Sequence, residues 1–195
     1  TNVLRQISIN GILATGMTFV ILTGGIDLSI GSVMAFAGMI GASIASGEAP
    51  DSAALATLAA MGTGAILGAC NGALVAWARV PAFVATLGML SAARGLTLIY
   101  SDGMPISQLS DGLRALGQGA IAGIPAPVAI LACVAAISCV VLQTTVYGRR
   151  IYAVGGNVRS ARTSGIRTGA VLFSAYVLVG ALAGLAGVVL AARST

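Results

Sequence analysis

Histidine and lysine are both absent from this 195-residue sequence, and its five carboxylates, Asp27, Glu48, Asp51, Asp102 and Asp111, stand far apart. Without histidine a serine hydrolase has no base and a metallo-hydrolase lacks its commonest ligand. Hydrolytic, metal and proton-relay chemistry therefore lack their usual parts. Without lysine the Gly-Lys-Ser/Thr of a phosphate-cradling loop cannot be written, so no ordinary P-loop ATPase lies in this chain. No enzymatic activity, metal, cofactor or nucleic-acid partner is expected. The three cysteines, Cys70, Cys133 and Cys139, lie in apolar stretches. They read as buried, inert thiols and not as a disulfide or metal site.

What the sequence has in abundance is apolar surface: 57% hydrophobic residues, 8% charged and a mean hydropathy of +1.00. Water cannot be the solvent for most of its length, so the chain reads as an integral membrane protein. A hydrocarbon core of about 30 Å takes ~20 residues of helix, and backbone in lipid must satisfy its own hydrogen bonds. The expectation is an all-α, polytopic transmembrane helical bundle, one domain over residues 1–195. Six apolar spans are predicted: Ile7 to Gly24, Leu28 to Ser46, Ala53 to Trp77, Ala82 to Tyr100, Ala126 to Val146 and Gly169 to Ala192. The first two also fit one broken element. No charged-then-apolar signal opens the chain, which starts at Thr1 without methionine and is expected to be part of a longer protein. The long fourth-to-fifth connection has room for an interfacial helix around Leu109 to Leu116.

Arginine sets the orientation. The stretch 147–168 holds Arg149, Arg150, Arg159, Arg162 and Arg167, whereas the EAPDS turn and the fourth-to-fifth connection hold Glu48, Asp51, Asp102 and Asp111 against Arg114 alone. The arginine loop is thus predicted to be cytoplasmic and the acidic turns outside. Glycines at 64, 68 and 72, and again at 180, 184 and 187, recur on helix faces and read as close packing between helices in preference to pore lining.

Within TGGIDLSIGS, residues 23–32, Gly24 and Gly25 stop a helix, and Asp27 is placed to cap the amides of Ser29 and Ile30 at the start of the next. Two readings fit: a capped loop in water, or a break at membrane depth that lines a path and gates it. Arg94 fits either a side chain snorkelling to the outer interface or a pore-facing or helix-fixing cation paired with Asp102. Asn71 reads as an interhelical hydrogen-bonding residue before a substrate ligand. Trp77 and Tyr100 read as interfacial anchors.

Three blocks in order, TGGIDLSIGSVMAFAG, NGALVAWARVPAFVATLGMLSAARGLTLIYSDGMPI and TVYGRRIYAVGGNVRSARTSGI, resemble the membrane permease subunits of bacterial ABC sugar importers of the ribose, xylose and galactose type. The resemblance covers essentially the whole chain. It implies a central piece of a roughly ten-span, multi-pass protein of the bacterial inner membrane. It further implies a homodimer in lipid that receives a monosaccharide from a periplasmic binding protein, with ATP hydrolysed on a separate ATPase subunit. Related permeases for nucleosides or branched-chain amino acids are the next reading. A secondary transporter, with Asp27 as its internal carboxylate, is a further one.

Inside the arginine loop, Asn157 is an N-cap, Val158 to Ser164 spans two helical turns, and Gly165 stands where a C′ glycine belongs. Arg159 and Arg162 share a face, with Val158 and Ala161 as a small apolar side beside them. By resemblance this is the coupling helix that docks in a groove of the ATPase. The sequence departs from the usual pattern, which often has an acidic residue near Arg159 and leucine where Thr163 stands.

Overall fold

The computed structural model describes residues 2–46, 52–104, 106, 108–121 and 123–194. Glu48 and Asp51, counted above for orientation, lie outside the described residues. The long helices are α1 (Asn2–Leu22), α3 (Ser52–Ala76), α4 (Ala82–Ser101), α6 (Ala126–Thr144) and α9 (Thr168–Ser194), and five helical segments within them are long and apolar enough to cross a membrane. The second expected span is shorter. Helix α2 (Ile30–Ile44) has 15 residues, roughly 22 Å of rise. It does not cross about 30 Å of hydrocarbon by itself. The chain thus traverses the bundle six times with one short passage.

Helix α9 is the centre. It packs against α1, α2, α3 and the short α5 (Asp111–Gln118), with Ala175, Tyr176, Ala183, Ala186 and Val189 wholly buried. Between apolar helices in lipid no hydrophobic force favours contact, so close backbone approach must do the work. On the α3–α9 seam a Cβ added at Gly64 would overlap the Gly180 carbonyl, one at Gly68 the Tyr176 carbonyl and one at Gly184 the Ala60 carbonyl. Only glycine permits these helices to lie so near. The expected packing faces are therefore real contacts.

Helix α5 falls where the short helix is expected, two residues later. It seals one end of the bundle, with Leu113 fully buried, Ser110 N–H donating to the Ala45 carbonyl (2.9 Å) and Ser46 bridging to Leu109. A two-residue hairpin, β1 (Ala120–Ile121) with β2 (Ile124–Pro125), turns through Gly123 at φ 81° and leads into α6. At this end Arg5 Nη2 donates to the Gln118 carbonyl (2.7 Å).

The opposite end carries two further helices, α7 (Val146–Gly156) and α8 (Val158–Thr163). Only α8 is expected from sequence. The cysteines differ from expectation too: Cys70, Cys133 and Cys139 are all exposed on helix surfaces. In a membrane an apolar residue is at rest facing lipid, so apolar surroundings in sequence do not imply burial in protein.

Candidate translocation and coupling site

The break between α1 and α2 is built from backbone first. Gly25 N–H donates to the Val20 carbonyl (3.0 Å) and Gly24 N–H to the Ile21 carbonyl (2.9 Å), with Gly24 at φ 80°. That pair of bonds is a Schellman stop, and it requires the positive φ that glycine adopts without strain. Asp27 Oδ1 then accepts from Ser29 N–H (2.8 Å) and Ser29 Oγ (2.6 Å). The second bond differs from the expected one: it goes to the Ser29 hydroxyl, not to the Ile30 amide, because the carboxylate folds into a turn ahead of the helix.

Within this turn Gly24, Ile26 and Leu28 are exposed and the polar side chains are not. Asp27 is 4% exposed and Ser29 fully buried. Asn71 of α3 donates to Ser29 Oγ (2.9 Å), and Tyr176 of α9 donates to the Ile26 carbonyl (3.1 Å). Asn71 stands five residues from the end of α3, and Tyr176 eight from the start of α9. By helix rise that puts the turn roughly 8 to 12 Å inside the bundle. Asn71 is thus an interhelical hydrogen-bonding residue, and its Oδ1 is buried with no protein partner.

At the arginine-rich end, Asn157 Oδ1 accepts from Arg159 N–H (2.9 Å) and Ser160 N–H (3.0 Å), as an N-cap should. The far end closes with a second Schellman stop: Ile166 N–H to the Ala161 carbonyl and Gly165 N–H to the Arg162 carbonyl (both 3.0 Å), with Gly165 at φ 80°. Val158, Arg159, Arg162 and Thr163 are exposed. Ala161 is not. At 3% exposure it packs in the apolar cluster of Phe19, Val20, Ile151, Val154 and Val171. Its methyl holds α8 to its own chain and is unavailable to a partner. On α7, Tyr147 Oη meets Ser174 Oγ at 2.9 Å, and burial pushes the phenol's pKa up while that hydrogen bond lowers it.

Helix α7 joins the two places. Ile151 and Val154 are fully buried against the C-terminal end of α1, and Gly155 lies so close to the Leu22 carbonyl that a Cβ there would overlap it.

Residues 1–195 match the family described as branched-chain amino acid transport system / permease component. The chain belongs to that permease family. It is 42% identical to the ribose import permease of Haemophilus influenzae and 44% identical to that of Bacillus subtilis, in each case over 98% of this chain and 60% of the relative. It is 38% identical to the galactofuranose transporter permease of Escherichia coli K12, over 98% of this chain and 55% of that one. The chain therefore spans about three-fifths of the length of the ribose permeases it matches. No solved structure matches it. The family is described as a permease component of a transport system, and the five long apolar helices fit a multi-pass protein of the inner membrane.

In the permease, Arg94 is on α4 and shares a cavity with Leu28 at the end of the break turn. It is exposed and lines a cavity between α2 and α4 with Leu28, Gly31, Ser32, Leu90 and Thr97. The expected pairing with Asp102 is not formed. Asp102 ends α4 in a left-handed cap (φ 49°), eight positions and roughly 12 Å of rise further on. Tyr100 is a clasp and not only an anchor, its hydroxyl meeting Ser43 Oγ at 2.8 Å and its ring standing edge-on to Phe36. Trp77 stacks on Phe173 at 4.7 Å.

Helix α7 was missed in sequence although two signals mark it. Thr145 is placed to cap it, and its Oγ1 accepts from Gly148 N–H (3.2 Å). Tyr147, Ile151 and Val154 repeat at the spacing of one helix face.

Proposed function

We propose that the full-length permease is the membrane subunit of an ATP-binding-cassette importer. It forms the translocation path for a monosaccharide delivered by a periplasmic binding protein. The observation that carries this is the 42–44% identity to ribose import permeases over 98% of the chain. These 195 residues hold no lysine and so no ordinary P-loop, which agrees with ATP hydrolysis on a separate subunit.

In this reading two copies of the permease pair in the lipid, and the unit 147–168 is the coupling element. Asn157 and Gly165 fix the two ends of α8, and Arg159, Arg162 and Val158 present its docking face. Gly24, Gly25, Asp27 and Ser29 form the gate: a helix stopped and restarted inside the bundle, tied to α3 and α9 by single hydrogen bonds. Asn71 and Tyr176 are the latches. Hydrogen bonds of about 1 kcal/mol each are strong enough to hold one state and weak enough to exchange.

The test is ATP-driven uptake of labelled D-ribose, D-xylose and D-galactose by vesicles that hold the permease, its ATPase and its binding protein. Uptake that needs no ATPase would replace this reading with a secondary transporter. The family's own description favours branched-chain amino acids as second substrate class, and uptake of leucine in place of every sugar would select it.

A further inference from the structure

Two cavities open along α2. The outer one, about 560 Å³, is walled by Met34, Gly38 and Met39 and carries Gln108, Arg114 and Ser194 as polar residues. The inner one, about 440 Å³, lies against α4 and ends at Leu28 of the break. Ala35 lines both, so the two are neighbours on one helix. Each cavity is of the size that small-molecule sites occupy. Among the described residues each is lined by one arginine and no carboxylate.

Arg94 sets the problem. It lies seven residues from the end of α4, roughly 10 Å below the outer end. A guanidinium at that depth is costly unless water, a counter-charge or a polar solute meets it. Arg114 has a related need, because its Nε is buried without a hydrogen-bond partner. Guanidinium offers five donors and no acceptor, so what belongs opposite is a solute rich in oxygen acceptors. Ser32 and Gln108 add groups that both donate and accept, and Thr97 and Ser194, whose hydroxyls donate to the Ala93 and Leu190 carbonyls, add acceptors, which suits hydroxyls on a neutral molecule.

We infer that the two cavities on α2 are successive stations for a neutral polyhydroxylated solute of monosaccharide size, with Arg114 at the outer station and Arg94 at the inner. This rests on the transport reading above and deepens it. The solute's path follows the face of α2 that carries Gly38, Ala35 and Gly31, and it stops at Leu28. Positive charge at both stations favours neutral and anionic molecules over cations.

The experiment uses the full-length permease with its ATPase and binding protein, in a background where Cys70, Cys133 and Cys139, all exposed, are replaced by alanine. Ala35→Cys and Gly31→Cys are treated from the water phase with an anionic and a cationic methanethiosulfonate, and Ile137→Cys on the outer face of α6 is the control. Both path cysteines are expected to react faster than the control, with the anionic reagent favoured about tenfold, and Arg94→Gln is expected to remove that preference. A Cβ at position 31 meets nothing within 4 Å, so Gly31→Cys carries the test if Ala35→Cys fails to assemble. Path cysteines no more reactive than Ile137→Cys, or a charge preference unchanged by Arg94→Gln, would overturn the inference. Sugar uptake is read separately: Arg94→Gln is expected to lower it at least tenfold with ATPase association intact. Wild-type vesicles that take up none of the three sugars would refute the monosaccharide reading, while the labelling still decides the path.

Discussion

Gly180→Ala adds one methyl group to the permease where α3 and α9 leave no room for it. An added Cβ at residue 180 would overlap the Gly64 carbonyl oxygen, and the atoms behind that oxygen are the backbone of α3. No rotamer change relieves the overlap, so α3 and α9 must part by roughly 1 Å, a gap that forfeits a quarter to a half of each local dispersion well. Together with the overpacking itself the cost is about 1 to 3 kcal/mol. Gly95→Ala is the control. It meets nothing within 4 Å and should be neutral or, through helix propensity, stabilising by up to about 1 kcal/mol. Because residues 64 and 180 clash with each other's carbonyls, one separation accommodates both methyls, and the double variant Gly64→Ala/Gly180→Ala should cost less than the sum of the two. The measurement is unfolding of the full-length permease in mixed micelles titrated with dodecyl sulfate, followed by circular dichroism. A Gly180→Ala midpoint equal to that of Gly95→Ala would refute the view that backbone proximity holds this bundle together.

Asp27→Ala should lower transport more than Asp27→Asn, because asparagine's Oδ1 still accepts from Ser29; equal uptake by both at matched membrane levels would remove Asp27 from the gate. Asn157→Ala should cost about 1 kcal/mol at the start of α8 and weaken co-purification of the ATPase, with Asn157→Asp restoring it. Ala161→Trp should destabilise the permease itself, whereas Val158→Trp should leave its stability unchanged and reduce ATPase association; the opposite pattern in thermal melts and pull-downs would turn α8 around. Gln108→Cys should react with an impermeant maleimide added to intact spheroplasts, and labelling confined to opened membranes would invert the topology.

The features legible in the sequence were those decided within a few residues. Gly24 and Gly165 each end a helix by the same two backbone bonds, and Asn157 caps by reaching its own neighbours, so the chemistry of each is complete in a short window. What a side chain faces across the fold was not legible. Val158 and Ala161 look alike on a six-residue helix, and only the position of Ile151 and Val154 makes Ala161 the inward one. Helix α7 was hidden because Arg149, Arg150 and its glycines resemble loop chemistry, although Gly148 and Gly155 are glycines for room, each lying against a backbone carbonyl of another segment. The length of α2 was obscured because Leu28 continues the apolar run past the point where the helix begins.

The contact between Gly155 and the Leu22 carbonyl fixes how a push at one end of this molecule is felt at the other. No side chain lies between the two backbones there. If α8 is the coupling element proposed above, a displacement of it would act on α7 through the buried Ile151 and Val154 and reach the last turn of α1, one residue before Thr23 and two before Gly24. On that reading the segment that yields would be the Gly24–Gly25 stop, placed directly beyond a contact with no side chain in it and beside the turn that Asp27 holds.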